Sequence, residues 1–270
     1  MVKLNEIEFG EGRPFVLIAG PCVIENEDIT FKTAEAIKEI AEKVGIPYVF
    51  KSSYKKANRT SLDSFSGLEF NRALKILDYV KEKFELPILT DIHTEAEAVI
   101  VGEHADILQI PAFLCRQTEL LIAAGNTGKI VNIKKGQFLA PKDMEHAVEK
   151  VESTGNKNIL LTERGTTFGY GNLVVDMRSL VIMRDLGYPV VMDATHSVQM
   201  PGTGNVTGGS PEFILPLAKA AAAVGIDALF LEVHPNPPEA LSDKASQLPL
   251  ENLEELLLQI KRIDDAVKRG

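Results

Sequence analysis

Cysteine is scarce: Cys22 and Cys115 are the only two in 270 residues. That excludes a disulfide framework, and two isolated thiols fit a reducing compartment, here expected to be the cytoplasm. Basic residues are outnumbered, with 29 Lys and Arg against 38 Asp and Glu and a net charge of -9. No basic run is present to neutralise a phosphate backbone, so no nucleic-acid partner is expected. Long apolar runs are missing too. The run near the N-terminus, Phe15 to Gly20, is too short for a signal-peptide core or a membrane span and reads as a strand, so no membrane partner is expected either. With no low-complexity tract, no linker and modest glycine and proline, the composition is that of a chain that folds outright.

What the chain does have is a repeated alternation. Short apolar or β-branched runs recur at Phe15 to Ala19, Pro47 to Phe50, Pro87 to Thr90, Ile107 to Ile110, Ile130 to Ile133, Ile159 to Leu161, Val190 to Met192 and Ala228 to Leu231. Continuous apolarity marks strands buried on both faces, as parallel strands are. Between them lie segments with helical spacing and charged faces: Asp28 to Val44, Glu69 to Lys83, Met144 to Ser153, Leu173 to Leu186 and Glu212 to Val224, with a last helix at about Leu253 to Lys268. Eight strand-then-helix repeats close most naturally into an α/β fold of the (β/α)8 or TIM-barrel type. Such barrels run to about 250 residues as one unit, so residues 1–270 are expected to form one catalytic domain. An open doubly wound sheet is the competing architecture. Ile7-Glu8-Phe9 followed by Glu11-Gly12-Arg13-Pro14 suggests a short N-terminal hairpin beneath the barrel.

In barrel enzymes the chemistry sits where strands end. Here the runs end in Gly20-Pro21-Cys22, Lys51-Ser52-Ser53, Asp91-Ile92-His93, Gln109, Lys134-Lys135-Gly136-Gln137, Glu163-Arg164-Gly165, Asp193 with His196, and Glu232 with His234. Each taken alone has a plainer explanation, since a Lys after a strand is most often solvated and a His is often structural. Together they place several cations on one rim of an acidic chain, which implies anionic substrates bearing phosphate or carboxylate. Cys22, His196, Glu232 and Asp243 have metal-ligand character. A thiolate, an imidazole and carboxylates suit Zn(II) or Fe(II) and can hold Mn(II), whereas Mg(II) rarely chooses sulfur. No CxxC or HExxH supports that set by spacing. Cys115 lies in an apolar stretch and reads as packing.

The motifs are long and specific. They include Ile18-Ala19-Gly20-Pro21-Cys22, Phe50-Lys51-Ser52-Ser53, Lys56-Ala57-Asn58-Arg59, the stretch Gln109 to Thr118, Asn132-Ile133-Lys134-Lys135-Gly136-Gln137-Phe138, Arg164-Gly165-Thr166-Thr167-Phe168-Gly169-Tyr170, Asp193 to Gln199, and Glu232-Val233-His234-Pro235. Over nearly its whole length the chain resembles the 3-deoxy-D-manno-octulosonate 8-phosphate (KDO8P) synthases, within the larger group that includes the 3-deoxy-D-arabino-heptulosonate 7-phosphate (DAHP) synthases. The resemblance implies a barrel, a homotetramer, and condensation of phosphoenolpyruvate with D-arabinose 5-phosphate and water to give KDO8P and phosphate, a step toward lipopolysaccharide. Carried onto matching positions, it implies that Lys56, Lys134 and Arg164 hold phosphoenolpyruvate with Lys51, Ser53 and Gln109 nearby. Asn58 and Arg59 would take the sugar phosphate, helped by Arg116 of a neighbouring subunit, while Asp91 and His93 would line the centre.

Members of this family with Cys at the position of Cys22 need a metal, and those with Asn there do not. The Cys here, with His196, Glu232 and Asp243 at matching places, implies the type that uses a divalent Zn, Fe, Mn or Co ion. One departure is Ser66-Gly67-Leu68-Glu69-Phe70, where the resemblance calls for a Gly-x-Gly turn and the second glycine is absent. The rival within the same chemistry is a DAHP synthase, whose acceptor is erythrose 4-phosphate. There Lys-Pro-Arg is usual, and Asn58 here adds an amide able to bond an extra sugar hydroxyl. A Schiff-base aldolase acting through Lys134 and a non-catalytic sugar-phosphate sensor are the readings from other classes.

Overall fold

The computed structural model describes residues 1–10, 12–57, 65–200 and 208–268. Eight parallel strands form its centre: β3 (Val16–Gly20), β4 (Tyr48–Lys51), β5 (Ile88–Asp91), β6 (Ile107–Ile110), β7 (Ile130–Lys134), β8 (Ile159–Glu163), β9 (Val190–Asp193) and β12 (Ala228–His234). Each pairs with the next in sequence, and β12 pairs with both β9 and β3, so the sheet closes into a barrel. The helices are α1 (Glu27–Val44), α2 (Phe70–Phe84), α3 (Glu95–His104), α4 (Thr118–Asn126), α5 (Glu145–Glu152), α6 (Arg178–Arg184), α7 (Ile214–Val224) and α8 (Leu253–Lys268). They alternate with the strands, as the sequence requires of a (β/α)8 barrel. The N-terminal hairpin is β1 (Val2–Leu4) against β2 (Ile7–Phe9). Near the rim Gln199–Met200 (β10) pairs with Gly208–Gly209 (β11), and Leu248–Pro249 (β13) pairs with β12.

The pleat sorts each strand into two faces. Leu17, Ala19, Phe50, Ile88, Leu108, Val131, Leu161, Met192 and Leu229 belong to the core between barrel and helices. Val16, Ile18, Val49, Leu89, Ile107, Ile130, Leu160, Val191 and Phe230 fill the barrel interior together with Val2 and Phe9 of the hairpin. The hairpin therefore plugs the N-terminal mouth. Two residues further along seven of the eight strands the inward position turns polar: Lys51, Asp91, Gln109, Asn132, Thr162, Asp193 and Glu232, all buried; on β3 it is Gly20. The interior is dry at the bottom and charged at the top.

Gly45 and Gly225, both with positive φ, end α1 and α7 as the turn chemistry predicts. Gly20 is fixed by close approach instead: a Cβ there would stand 2.0 Å from the Lys51 carbonyl oxygen. Where the second glycine of the Gly-x-Gly turn is absent, Glu69 has φ -58 and its carboxylate accepts the backbone N–H groups of Asn71 and Arg72, capping α2. The position does not need glycine.

Three features differ from the periodicity, one of them helix α4, whose residues Thr118–Asn126 lie outside the segments expected to be helical. The segment expected to be helical from Leu173 to Leu186 is helical only over Arg178–Arg184, because Asp176 accepts the Arg178 N–H ahead of the helix and Val174 pairs with Thr166 as an antiparallel bridge. Helix α3 leaves Val99 and Ile100 exposed, so no apolar stripe announces it. Its signal is the capping box of Thr94 and Glu97.

Candidate active site

The C-terminal ends of the strands assemble one cluster from residues spread over most of the chain. Cys22 follows β3 and donates its thiol to Asp243 Oδ2 at 3.3 Å. The ligand atoms of Cys22, Glu232 and Asp243 lie within 4.8 Å of one another. His196 stands beside this trio rather than within it, its Nε2 3.4 Å from Glu232 Oε1. Glu232 is the hub: Oε1 takes Lys51 Nζ at 3.0 Å and Lys56 Nζ at 3.3 Å, while buried Oε2 has no hydrogen-bond partner among the described residues. A soft sulfur, an imidazole and two carboxylates, one with an orphaned oxygen, are a donor set that fits Zn(II), Fe(II) or Mn(II).

Burial, and then the Glu232 carboxylate, push the Cys22 thiol well above its ordinary pKa. Burial alone would raise the Glu232 carboxyl as well, but His196, Lys56, Lys51 and Lys134 hold it well below the usual range. A cation added beside Cys22 would favour its thiolate in the same way.

A second group surrounds Asp193. Its Oδ2 lies 2.5 Å from Lys134 Nζ and 2.7 Å from His196 Nδ1, and its Oδ1 accepts the His196 backbone N–H at 2.9 Å. Lys134 Nζ also stands 3.3 Å from Nδ1, so that nitrogen meets both the anion and the cation while Nε2 faces Glu232. Burial opposes the Asp193 charge, yet His196 and Lys134 hold its pKa far below the usual carboxylate range. Burial lowers Lys134, with Asp193 resisting, and the ammonium also lies 4.2 Å from the centre of the Phe230 ring. Arg164 donates to Gln199 Oε1 at 2.7 Å, and its buried Nη1 has no partner among the described residues.

A third group crosses the barrel. Lys51 Nζ donates to Ser53 Oγ at 3.1 Å, and Ser53 Oγ and Gln109 Nε2 both donate to Asp91. Asn132 donates to Gln109 Oε1 at 2.9 Å and Thr162 donates to Asn132 Oδ1 at 2.6 Å. Since Asp91 can only accept, the donor direction of the whole row is set from its end. Burial disfavours the Asp91 charge, but Lys51, Lys56 and His93 outweigh it and keep the carboxyl ionised.

The structure therefore brings together Cys22, Lys51, Ser53, Lys56, Asp91, Gln109, Lys134, His196, Glu232 and Asp243. His93 stands beside this group in the loop after β5, and Arg164 follows β8. Asn58 and Arg59 lie outside the described residues. Arg116 is exposed, its carbonyl accepting Lys150 Nζ at 3.0 Å, and makes no contact with the cluster of its own chain among the described residues. Lys135 and Glu163, neighbours of site residues, face away from the barrel axis and pair with each other at 3.5 Å. Cys115 is buried in the core between barrel and helices. The sequence reading gave no role to Asp193, Gln199, Asn132 or Thr162. The signal for Asp193 was its place two residues after an inward Val191. Two grooves of about 590 and 600 Å³ lie elsewhere, lined by residues such as Ile7 and Tyr48 or Met1 and Tyr188, and carry none of this chemistry.

No helix among the described residues is long and apolar enough to cross a membrane. The chain is 57% identical over 271 residues to a 2-dehydro-3-deoxyphosphooctonate aldolase of Cyanothece sp., with 99% of both chains covered. It is 55% identical over 268 residues to proteins of the same name from Syntrophotalea carbinolica and Fusobacterium nucleatum, covering 99% of this chain and 97% and 96% of theirs. Residues 1–269 match the family described as DAHP synthetase I, and the chain belongs to that family.

Proposed function

We propose that this chain is a KDO8P synthase that condenses phosphoenolpyruvate with D-arabinose 5-phosphate and water, releasing inorganic phosphate. One observation carries the choice within the family: full-length relatives at 52–57% identity are named for a 2-dehydro-3-deoxyphosphooctonate. An eight-carbon acid of that type divides, by aldol logic, into a three-carbon pyruvate unit and a five-carbon aldose phosphate. A DAHP synthase would join the same three-carbon unit to a four-carbon sugar.

The cluster suits the task. Lys51, Lys56, Lys134 and the open side of Arg164 supply positive charge for the phosphate and carboxylate of phosphoenolpyruvate, with Ser53 and Gln109 beside them. Fixed cations in a water-poor site also stabilise charge as the C–O bond to phosphate breaks and the phosphate leaves with its electron pair. C3 of phosphoenolpyruvate forms the new bond to the sugar aldehyde, and water adds at C2. Cys22, His196, Glu232 and Asp243 would hold a divalent metal, which supplies Lewis acidity and lowers the pKa of bound water. Asp91 and His93 line the centre as acceptors. Asn58, Arg59 and a neighbour's Arg116 are assigned to the sugar phosphate, in a homotetramer. The free, buried thiols of Cys22 and Cys115 fit a cytoplasmic enzyme.

A Schiff-base route needs a free amine at Lys134, whose ammonium is instead paired with Asp193. Borohydride treatment with substrate should leave no trapped adduct. The deciding experiment measures phosphate release with arabinose 5-phosphate and with erythrose 4-phosphate. A higher kcat/KM for the five-carbon sugar is expected, and the reverse order would make the chain a DAHP synthase.

A further inference from the structure

Beside the cluster, His93 is held from one side by a residue that neither the sequence motifs nor the substrate assignments use. Glu97 Oε2 accepts the His93 backbone N–H at 2.7 Å and lies 3.3 Å from His93 Nδ1. Tyr54 Oη is also 3.3 Å from Nδ1, and its ring meets the imidazole edge-on at 5.8 Å. Lys55 Nζ lies 3.9 Å from the other carboxylate oxygen. Burial opposes ionisation of Glu97, but Tyr54, the His93 N–H, the His93 ring and Lys55 keep its pKa below the ordinary value.

An ionised carboxylate can only accept, so an imidazole nitrogen at hydrogen-bond range of it must carry a proton. The opposite tautomer would set the Nδ1 lone pair against the Glu97 oxygen. Nε2 has no hydrogen-bond partner among the described residues, and Asp91, at the end of β5, stands two residues before His93. We propose that Glu97 is a positioning residue that fixes His93 as the Nδ1–H tautomer, leaving Nε2 as the acceptor for a hydroxyl or water of the bound substrates. This rests on the assignment of His93 to the site of the KDO8P synthase reaction.

Glu97 also belongs to the capping box of α3, in which Thr94 Oγ1 accepts the Glu97 N–H at 3.3 Å. A loss of activity on mutation could thus come from the helix alone, and two variants separate the roles. In Glu97→Gln the amide oxygen can still accept the His93 N–H, but the charge that selects the tautomer is gone. Thr94→Ala weakens the cap from the other side and leaves the carboxylate on His93.

The test is a long-range 1H–15N spectrum of 15N-histidine protein, which reads the tautomer of His93 without turnover, together with steady-state kinetics and melting temperature of both variants. Wild-type protein should carry the proton on Nδ1. Glu97→Gln should raise the Nε2–H form and lower kcat about tenfold or more, a part of what a positioned acid–base group supplies, with KM for both substrates within about twofold. Thr94→Ala should lower the melting temperature and change neither tautomer nor kcat. A wild-type proton on Nε2, an unchanged tautomer or kcat in Glu97→Gln, or equal losses of kcat in the two variants would each overturn the proposal. Absence of phosphate release from the wild type would instead defeat the functional assignment, while the spectrum still decides the tautomer.

Discussion

Cys22 and Asp243, 221 residues apart in the chain, meet with Sγ 3.3 Å from Oδ2. Asp243 reaches there with φ +49, a left-handed conformation that a non-glycine residue holds at a cost of about 1 to 3 kcal/mol. The segment is tied down by Gln247, whose Oε1 accepts the Cys22 N–H and whose Nε2 donates to the Ser242 carbonyl. Backbone strain maintained to bring a carboxylate against a thiol is expected of a ligand site rather than of packing.

A metal held at this site would be required for turnover. A strong chelator should abolish turnover, and Mn(II), Fe(II), Zn(II) or Co(II) should restore it, measured as phosphate release beside metal analysis of protein purified without chelator. Full activity in metal-free protein would defeat the assignment.

Substitutions at Cys22 should part company. Cys22→Ser should lose most metal affinity, because a hydroxyl is a poor ligand for borderline ions. Cys22→Asn should keep weak turnover that no longer responds to chelator, since an amide can donate a hydrogen bond to water or substrate where the thiolate would have held the metal. If the residue were only a packed thiol, both changes would act alike through stability, by roughly 1 to 3 kcal/mol for burying a polar group. Metal content, melting temperature and chelator-resistant turnover distinguish the two cases.

Arg116 is exposed on its own chain, as is Phe113 nearby. If its guanidinium completes a neighbour's site, Arg116→Ala should raise KM for the sugar phosphate far more than for phosphoenolpyruvate. Mixed with a Lys134→Ala variant, it should recover part of the activity, because some sites in mixed tetramers are intact. Subunits that work independently would show no recovery.

Asp91 should contribute to the acid side of the stability profile. Its pKa is lower folded than the unfolded value of about 3.9. The unfolded state therefore binds the extra proton as pH drops, and the stability Asp91 gives above that value is lost as pH falls below it. Asp91→Asn should melt lower at pH 7, by an equivalent of about 1 to 3 kcal/mol for disrupted buried hydrogen bonds. Its melting temperature should also fall less steeply than the wild type's between about pH 5 and 3, where Asp193 and Glu232, also held below their unfolded values, still contribute to the fall. Parallel curves would show that Asp91 is not held ionised.

Much of the barrel was legible from local chemistry. The run Ile130-Val131-Asn132-Ile133-Lys134 states its own parity: Val131 and Ile133 face the helices, and Ile130, Asn132 and Lys134 face the axis. Helix α3 was harder to see, because Val99 and Ile100 sit on its solvent side and obscure the period.

By itself the sequence determined the order of strands, the apolar lower interior and the polar residue that ends each strand, because burial on two faces and a period of two are local properties of a run. Only the closed barrel decided which of those ends meet. Lys134 and Lys135 are adjacent in sequence, yet one pairs with Asp193 toward the axis and the other with Glu163 toward the helices. Likewise Glu232 becomes the hub of Lys51, Lys56 and His196 only because β12 closes against β3 and brings the last strand beside the first. Which charges share one low-dielectric space, and so which hold a proton, is a property of the closed sheet.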